Sequence, residues 1–374
     1  MKFKAVISVI LLTCLTAFCV NASGSDHRKA IETLSLSGTS AESCLLYCLD
    51  TDEVVYASNE GKRLPMASTT KIMTAVVVIE NADLEDIVTV PQSAVGVEGS
   101  SAYLMKDEKI SIKDLLYAMM LESANDAAAV LALSVGGDMD SFVSMMNDKA
   151  SEIGMTDTHF VNPHGLDDEQ HYSTAYDMAL LCDYAMNNDD FAVITGSYRY
   201  ETENRLFVNH NRLLKTCDGV IGGKTGFTKR SGRCLVSVAK RDGVTMCAVT
   251  LNDPNDWKDH KSMYDAAFDM YESVILKGGE YSIPVINGNG DSVTVSAPDL
   301  SIVIGKGISD SIETKVCHDR FLYAPVNTNE TVGYLLYLDN GTEIARTELK
   351  AARDILQIKK KTFIERIISF IFQD

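Results

Sequence analysis

Ala67-Ser68-Thr69-Thr70-Lys71-Ile72-Met73-Thr74-Ala75-Val76-Val77-Val78-Ile79 joins a hydroxyl-rich entry to a run that is almost wholly apolar. Serine and threonine ahead of an apolar run are helix-starting residues, so the stretch predicts a helix beginning near Ser68. Because the run from Ile72 to Ile79 has no polar face, that helix is expected to be buried on all sides. Its valines lower helix propensity, but burial commonly overrides such local preferences. A helix of this kind needs other layers around it, and the flanking sequence supplies them.

Upstream, Ser43-Cys44-Leu45-Leu46-Tyr47-Cys48 and Val54-Val55-Tyr56-Ala57-Ser58 flank a polar turn from Asp50 to Glu53, which reads as a β-hairpin. Downstream, Ile112 to Gly136 carries two helical patterns separated by Glu122-Ser123-Ala124-Asn125. Asp138 to Ile153 reads as an amphipathic helix with Asp138 as its N-cap and Gly154 as its stop. Phe160 to Leu166 is turn-rich, and Thr174 with Asp177 has the form of a capping box opening a helix through Tyr184. Gly219 to Phe227, Cys234 to Ala239 and Val244 to Leu251 then read as strands, the last two joined by a Lys240 to Gly243 turn. A helix is expected to return at Met263 to Ile275. Hairpin, helical cluster and later strands make an α+β order with an antiparallel sheet and no βαβ repeat. After Gly278-Gly279, short alternating strands (Ser292 to Val295, Leu300 to Ile304, Glu330 to Leu338, Glu343 to Glu348) predict a small all-β domain.

The chemistry begins at Ser68 and Lys71, which at a helix N-terminus share one face one turn apart. A serine nucleophile needs a base, and no GxSxG elbow or evident histidine partner is present. A lysine can serve when burial or a neighbouring cation depresses its pKa; the apolar helix offers the first and Lys224 the second. The helix N-terminus also presents a backbone N–H to a developing oxyanion. Taken alone, a serine and lysine at this spacing fit a capping serine and a surface lysine. Two further elements follow in order: Ser123-Ala124-Asn125 in the break between helices, and Lys224-Thr225-Gly226 in a glycine-bearing strand. SxxK, SxN and KTG in that order are the signature of penicillin-recognising serine enzymes.

With Pro65-Met66-Ala67-Ser68-Thr69-Thr70-Lys71-Ile72-Met73-Thr74-Ala75, Ser123-Ala124-Asn125-Asp126-Ala127-Ala128, Asn162-Pro163-His164-Gly165-Leu166, His171-Tyr172-Ser173-Thr174-Ala175 and Lys224-Thr225-Gly226-Phe227-Thr228, the chain resembles the D-alanyl-D-alanine carboxypeptidases among the low-molecular-mass penicillin-binding proteins. The resemblance is strong over residues 40–276 and looser beyond. It implies a DD-peptidase/β-lactamase-like domain, with Ser68 as acylated nucleophile, Lys71 as general base and Ser123 as proton relay to the leaving D-alanine. It further implies that Asn125 holds the substrate amide and orients Lys71, and that Lys224 and Thr225 bind the terminal carboxylate. Gly226 would let substrate backbone lie along the strand, and the Phe227 N–H would complete an oxyanion hole with that of Ser68. The implied substrate is a peptidoglycan pentapeptide, the implied inhibitors are β-lactams, and no metal or cofactor is called for. A departure lies at His210, where some relatives carry arginine. His164 and His171 read as loop-bracing residues and Trp257 as a packing residue. The neighbouring readings are a class A-like β-lactamase, whose glutamate pattern is missing at Asn162 to Gln170, an endopeptidase or transpeptidase, and a catalytically silent wall-binding protein.

The whole chain of 374 residues has 34 basic and 52 acidic residues, a formal charge of -18, which argues against nucleic-acid binding. Both ends depart from that balance. Met1-Lys2-Phe3-Lys4, the apolar run Ala5 to Val20 and Asn21-Ala22 read as a signal peptide cleaved after Ala22, hence an exported protein. Residues 350–374 hold six basic residues against three acidic ones, with Phe363, Ile364, Ile367, Ile368 and Ile371 at helical spacing. This reads as an amphipathic helix lying on a membrane surface. The expected division is therefore 1–22 signal peptide, 23–276 peptidase domain, 277–349 β-domain and 350–374 anchor. Seven cysteines follow the leader, and in a chain large enough to need no staples they read mostly as small buried apolar residues.

Overall fold

The computed structural model describes residues 38–358; the expected leader, and the basic tail from Lys359, lie outside the described residues. A five-stranded antiparallel sheet runs in the order 53–58, 43–48, 244–251, 232–241, 220–228. The N-terminal hairpin therefore pairs with the last strand of the domain and leaves Val220–Thr228, the strand bearing Lys224-Thr225-Gly226, at an edge. Two of the inner strands show in their composition why they are central: Ser43–Cys48 is buried at every position and Val244–Leu251 at all but one. Asp242 and Gly243 take φ of 47° and 84°, which the tight turn between the last two strands requires.

The run from Ala67 folds as a short 3-10 turn, Ala67–Thr70, continuing into an α-helix, Lys71–Asn81, with eight of the helix's eleven residues buried. At roughly 1.5–3 kcal/mol for each large apolar side chain removed from water, this helix is a main store of the domain's stability. Helices Ile112–Leu121, Asn125–Gly136, Met139–Ile153 and Ala175–Met186 enclose it. Asp138 caps its helix by accepting from Ser141 N at 2.7 Å, and Gly154 ends it at φ 89°, as the sequence predicts. The expected capping box at Thr174 is half formed. Thr174 accepts from Asp177 N at 3.0 Å, but the Asp177 carboxylate turns to Asp157 N and the Thr158 hydroxyl instead.

Two boundaries differ from expectation. The returning helix is Asp256–Phe268 and stops there, and Tyr271–Leu276 is a strand paired with Leu300–Gly305. Tyr271, Val274 and Ile275 favour a pleated surface, and the available partner strand decides the matter. At the other end, residues 350–358 do not form a terminal helix. Lys350 and Ala351 close the strand Thr342–Ala351, Ala351 pairs with Val295, and Ile355 pairs with Val326. Ala351 and Ile355 are core residues of the β-domain, whose six-stranded sheet runs 312–318, 331–339, 342–351, 292–297, 279–286, 322–323. Among the described residues no single helix is long and apolar enough to cross a membrane. The seven cysteines are free thiols, six buried and Cys317 exposed.

Candidate active site

The seam between the helical cluster and the edge strand brings the three motifs together. Lys71 begins its helix fully buried, and its Nζ lies 2.9 Å from Ser68 Oγ, 2.7 Å from Asn125 Oδ1 and 2.6 Å from the backbone carbonyl of His164. Burial first, and the positive charge of Lys224 second, hold this amine well below the ordinary lysine range. Ser123 sits in the break between helices at φ 60°, a conformation that the surrounding structure has to enforce on a non-glycine residue. Asp126 fixes the loop beside it. Its buried carboxylate accepts from Ala102 N, Leu104 N and Ser101 Oγ at 2.9, 3.1 and 2.7 Å, drawing that loop over the turn. The loop in turn accepts from Asn125 Nδ2 at Glu98 O and from Asn125 N at Ser100 O.

On the opposite wall, Gly226 lies against the Ser68 turn: a Cβ there would stand 3.0 Å from both Met66 O and Ser68 N. Lys224 is buried, donates from Nζ to Thr225 O at 3.0 Å, and is pushed down to about 7 by burial. Behind the serine, Asn162 Oδ1 accepts from Gly165 N at 2.7 Å, and Thr74 Oγ1 donates to Pro163 O at 2.6 Å, fixing the loop that carries the His164 carbonyl. His171 braces as expected: Nε2 meets Thr70 Oγ1 at 2.8 Å and Nδ1 accepts from Val161 N at 3.0 Å. Burial pushes its imidazole down to about 4, so it is neutral near pH 7.

Of the eight expected site residues, Ser68, Ser123, Thr225, Gly226 and Phe227 line one cleft of about 670 Å³. Lys71, Asn125 and Lys224 are buried. Asn125 Oδ1 accepts from Lys71 Nζ, and its Nδ2 donates to Glu98 O. The His164 carbonyl and Asp126 are parts that the sequence reading missed. The first acts through backbone, which carries no residue-type signal, and the second stands in sequence only as one residue of a motif. His210 lines the cleft and its Nε2 approaches Glu122 Oε2 at 3.2 Å, tying it to the residue before Ser123. Trp257, expected as a packing residue, is in the first turn of helix Asp256–Phe268, and with Arg233 and Asp256 it forms part of the cleft wall.

A family model described as D-alanyl-D-alanine carboxypeptidase matches residues 30–255, and one described as penicillin-binding protein 5, C-terminal domain, matches residues 271–357. D-alanyl-D-alanine carboxypeptidase DacF of Bacillus subtilis is 31% identical over 345 residues, 87% of this chain and 88% of that protein. DacC of Escherichia coli, of the same description, is 28% identical over 91% of this chain and 90% of its own. Among solved structures, penicillin binding protein 5 from Haemophilus influenzae superposes with a TM-score of 0.70 at 27% identity, over 87% of this chain and all of that one.

Proposed function

This chain belongs to the D-alanyl-D-alanine carboxypeptidase family and is a serine-type D-Ala-D-Ala carboxypeptidase, and from that premise we propose that it works through an acyl-enzyme on Ser68 with Lys71 as the base. One observation carries the assignment. Of the three partners around Lys71 Nζ, the Asn125 and His164 oxygens can only accept, whereas Ser68 Oγ can donate. A neutral amine has two N–H groups for the two acceptors, so its lone pair is left facing the serine hydroxyl. Ser68 Oγ then attacks the carbonyl carbon of the D-Ala-D-Ala bond while its proton passes to Lys71 Nζ. The oxyanion is received by backbone N–H groups at Ser68 and Phe227. Collapse breaks the C–N bond, with Ser123 delivering a proton to the departing D-alanine; water later hydrolyses the ester. The substrate is the pentapeptide end of peptidoglycan, and a β-lactam acylates the same oxygen.

The first test is intact mass of the purified chain over a penicillin time course, followed by peptide mapping. One drug mass per chain, located on the Ser68 peptide and persisting for many minutes, is the expected result. Drug hydrolysed with no lasting adduct would move the reading to a β-lactamase, and an adduct elsewhere would end it.

We also propose that the chain is exported and that residues 359–374 hold it at a membrane surface. The local run Lys359-Lys360-Lys361 followed by Phe363, Ile364, Ile367, Ile368 and Ile371 supports this. A chain ending at Ile358 keeps the whole β-domain, so it is expected to float free of anionic vesicles in a flotation assay that retains the full chain, with unchanged peptidase activity. Equal flotation of the two would overturn the anchor.

A further inference from the structure

The six-stranded sheet of the β-domain ends in two unlike edges. One is Leu322–Tyr323, only two residues long, and the other is Ile312–His318, seven residues long. Among the described residues the longer edge pairs only with Thr331–Asp339, from Ile312 opposite Asp339 to His318 opposite Gly333. In an antiparallel ladder alternate residues turn their N–H and C=O groups away from the partner, so the outer side of this strand presents a row of unpaired backbone groups. Its side chains divide between two faces. Ile312, Thr314 and Val316 take the core face, where Thr314 is opposite Tyr337 and Val316 opposite Leu335, and Ile312 and Val316 pack half-buried against that core. Glu313 and Lys315 take the other face, exposed, and neither makes an ion pair among the described residues.

We propose that this edge is an interface for a second copy of the chain, the two Ile312–His318 strands pairing antiparallel about a two-fold axis at the level of Thr314. An axis perpendicular to the sheet sets core face beside core face, so it must pass at the level of a residue rather than between two. Centred on Thr314, Glu313 of each copy stands opposite Lys315 of the other, and Ile312 of each opposite Val316 of the other. Centred one residue later, Lys315 meets Lys315; one residue earlier, Glu313 meets Glu313. Like charges directly opposite are destabilising, so the strand's own charges reject both neighbouring registers. Charged residues on an edge ordinarily keep other strands away. Here two of opposite sign, two residues apart, do so in the wrong registers and attract in one, which makes the strand complementary to itself. The same register lets Ile312 and Val316 of the two copies cover each other, while backbone pairing supplies the affinity. Five paired residues in each copy bury less than the roughly 1,200 Å² of a standard interface, so the dimer is a weak one that forms as concentration rises. The proposal concerns the β-domain and stands apart from the acylation chemistry at Ser68.

Sedimentation equilibrium of the purified full chain over a wide concentration range tests it. The unsubstituted chain is expected to show a monomer–dimer equilibrium. Glu313→Lys or Lys315→Glu alone sets like charges opposite each other at both crossings and should raise Kd at least about tenfold. The double substitution restores opposite signs and should dimerise as the unsubstituted chain does. Mixing the two single variants should give a mixed dimer that neither forms alone, and this recovery shows that the single variants are folded. A chain that stays monomeric throughout overturns the proposal, as does a double variant or a mixture that fails to recover. Single variants that dimerise like the unsubstituted chain also overturn it, because the contact would then lie elsewhere, the tail from Lys359 included.

Discussion

Lys71→Met is expected to slow acylation of Ser68 by about a thousandfold, the middle to upper part of what a positioned general base supplies. Methionine fills nearly the same volume and has no amine, so the buried position is kept while the lone pair facing Ser68 Oγ is lost. The pH profile makes the assignment specific. Because burial and Lys224 depress the Lys71 pKa, the free base becomes available at a lower pH than for a surface lysine. The rate constant for acylation should therefore rise with pH through that depressed pKa and level off above it, and Lys71→Met should remove the rise. Lys71→Arg separates the base from the charge: a guanidinium stays protonated at every accessible pH, so it too should be slow although the cation remains. The measurement is stopped-flow acylation by a chromogenic β-lactam from pH 5 to 10, with circular dichroism to confirm the fold. A drop below tenfold in Lys71→Met, or an arginine variant with near-normal rate, would remove Lys71 from the role of base.

How far the sequence carried is best seen at particular residues. Ser68 and Lys71 were legible because helical spacing converts a three-residue separation into proximity, and a serine without a histidine has few other bases. The all-round burial of the helix they open was legible from its lack of polar positions. Elsewhere the deciding partner lies far along the chain. Tyr271–Leu276 is a strand because Leu300–Gly305 is there to pair with it, and Ala351 and Ile355 join the β-core because Val295 and Val326 receive them. The Asp177 carboxylate leaves its capping box because the Asp157 amide competes for it from 20 residues away. The His164 carbonyl, a full partner of Lys71, could not be read at all, since every residue has a carbonyl and only the loop geometry aims this one. Arg233, Asp256 and Trp257 are in the same position: in sequence two carry no signal and Trp257 reads only as packing, and the cleft wall exists only after the strand and helix meet.

The aim of that carbonyl depends on Gly165, and Gly165→Ala is expected to cost at least a hundredfold in kcat/KM. Gly165 has φ 87°, and a Cβ added to it would stand 2.0 Å from Ala67 O, 2.4 Å from Ala67 C and 2.9 Å from Ser68 N. All three are backbone atoms of the 3-10 turn that carries Ser68, so no side chain can swing aside to make room. Either the Asn162 to Leu166 loop retreats, taking the His164 carbonyl from Lys71, or the turn moves and Ser68 with it. Both routes spoil a geometry held by contacts of 2.6 to 2.9 Å, where displacements near 1 Å are worth about a hundredfold. Gly154→Ala supplies the control. Gly154 has nearly the same backbone, φ 89°, but nothing lies within 4 Å of an added Cβ. Its substitution should cost about 1–2 kcal/mol of stability from the left-handed conformation alone and leave activity intact. Gly165→Ala adds collision to that cost and should lower Tm further. The comparison needs kcat/KM for a D-Ala-D-Ala peptide and thermal denaturation of both variants. Should the two behave alike in activity, the loop would not be what positions Lys71, and the lone-pair argument for Ser68 would lose one of its two acceptors.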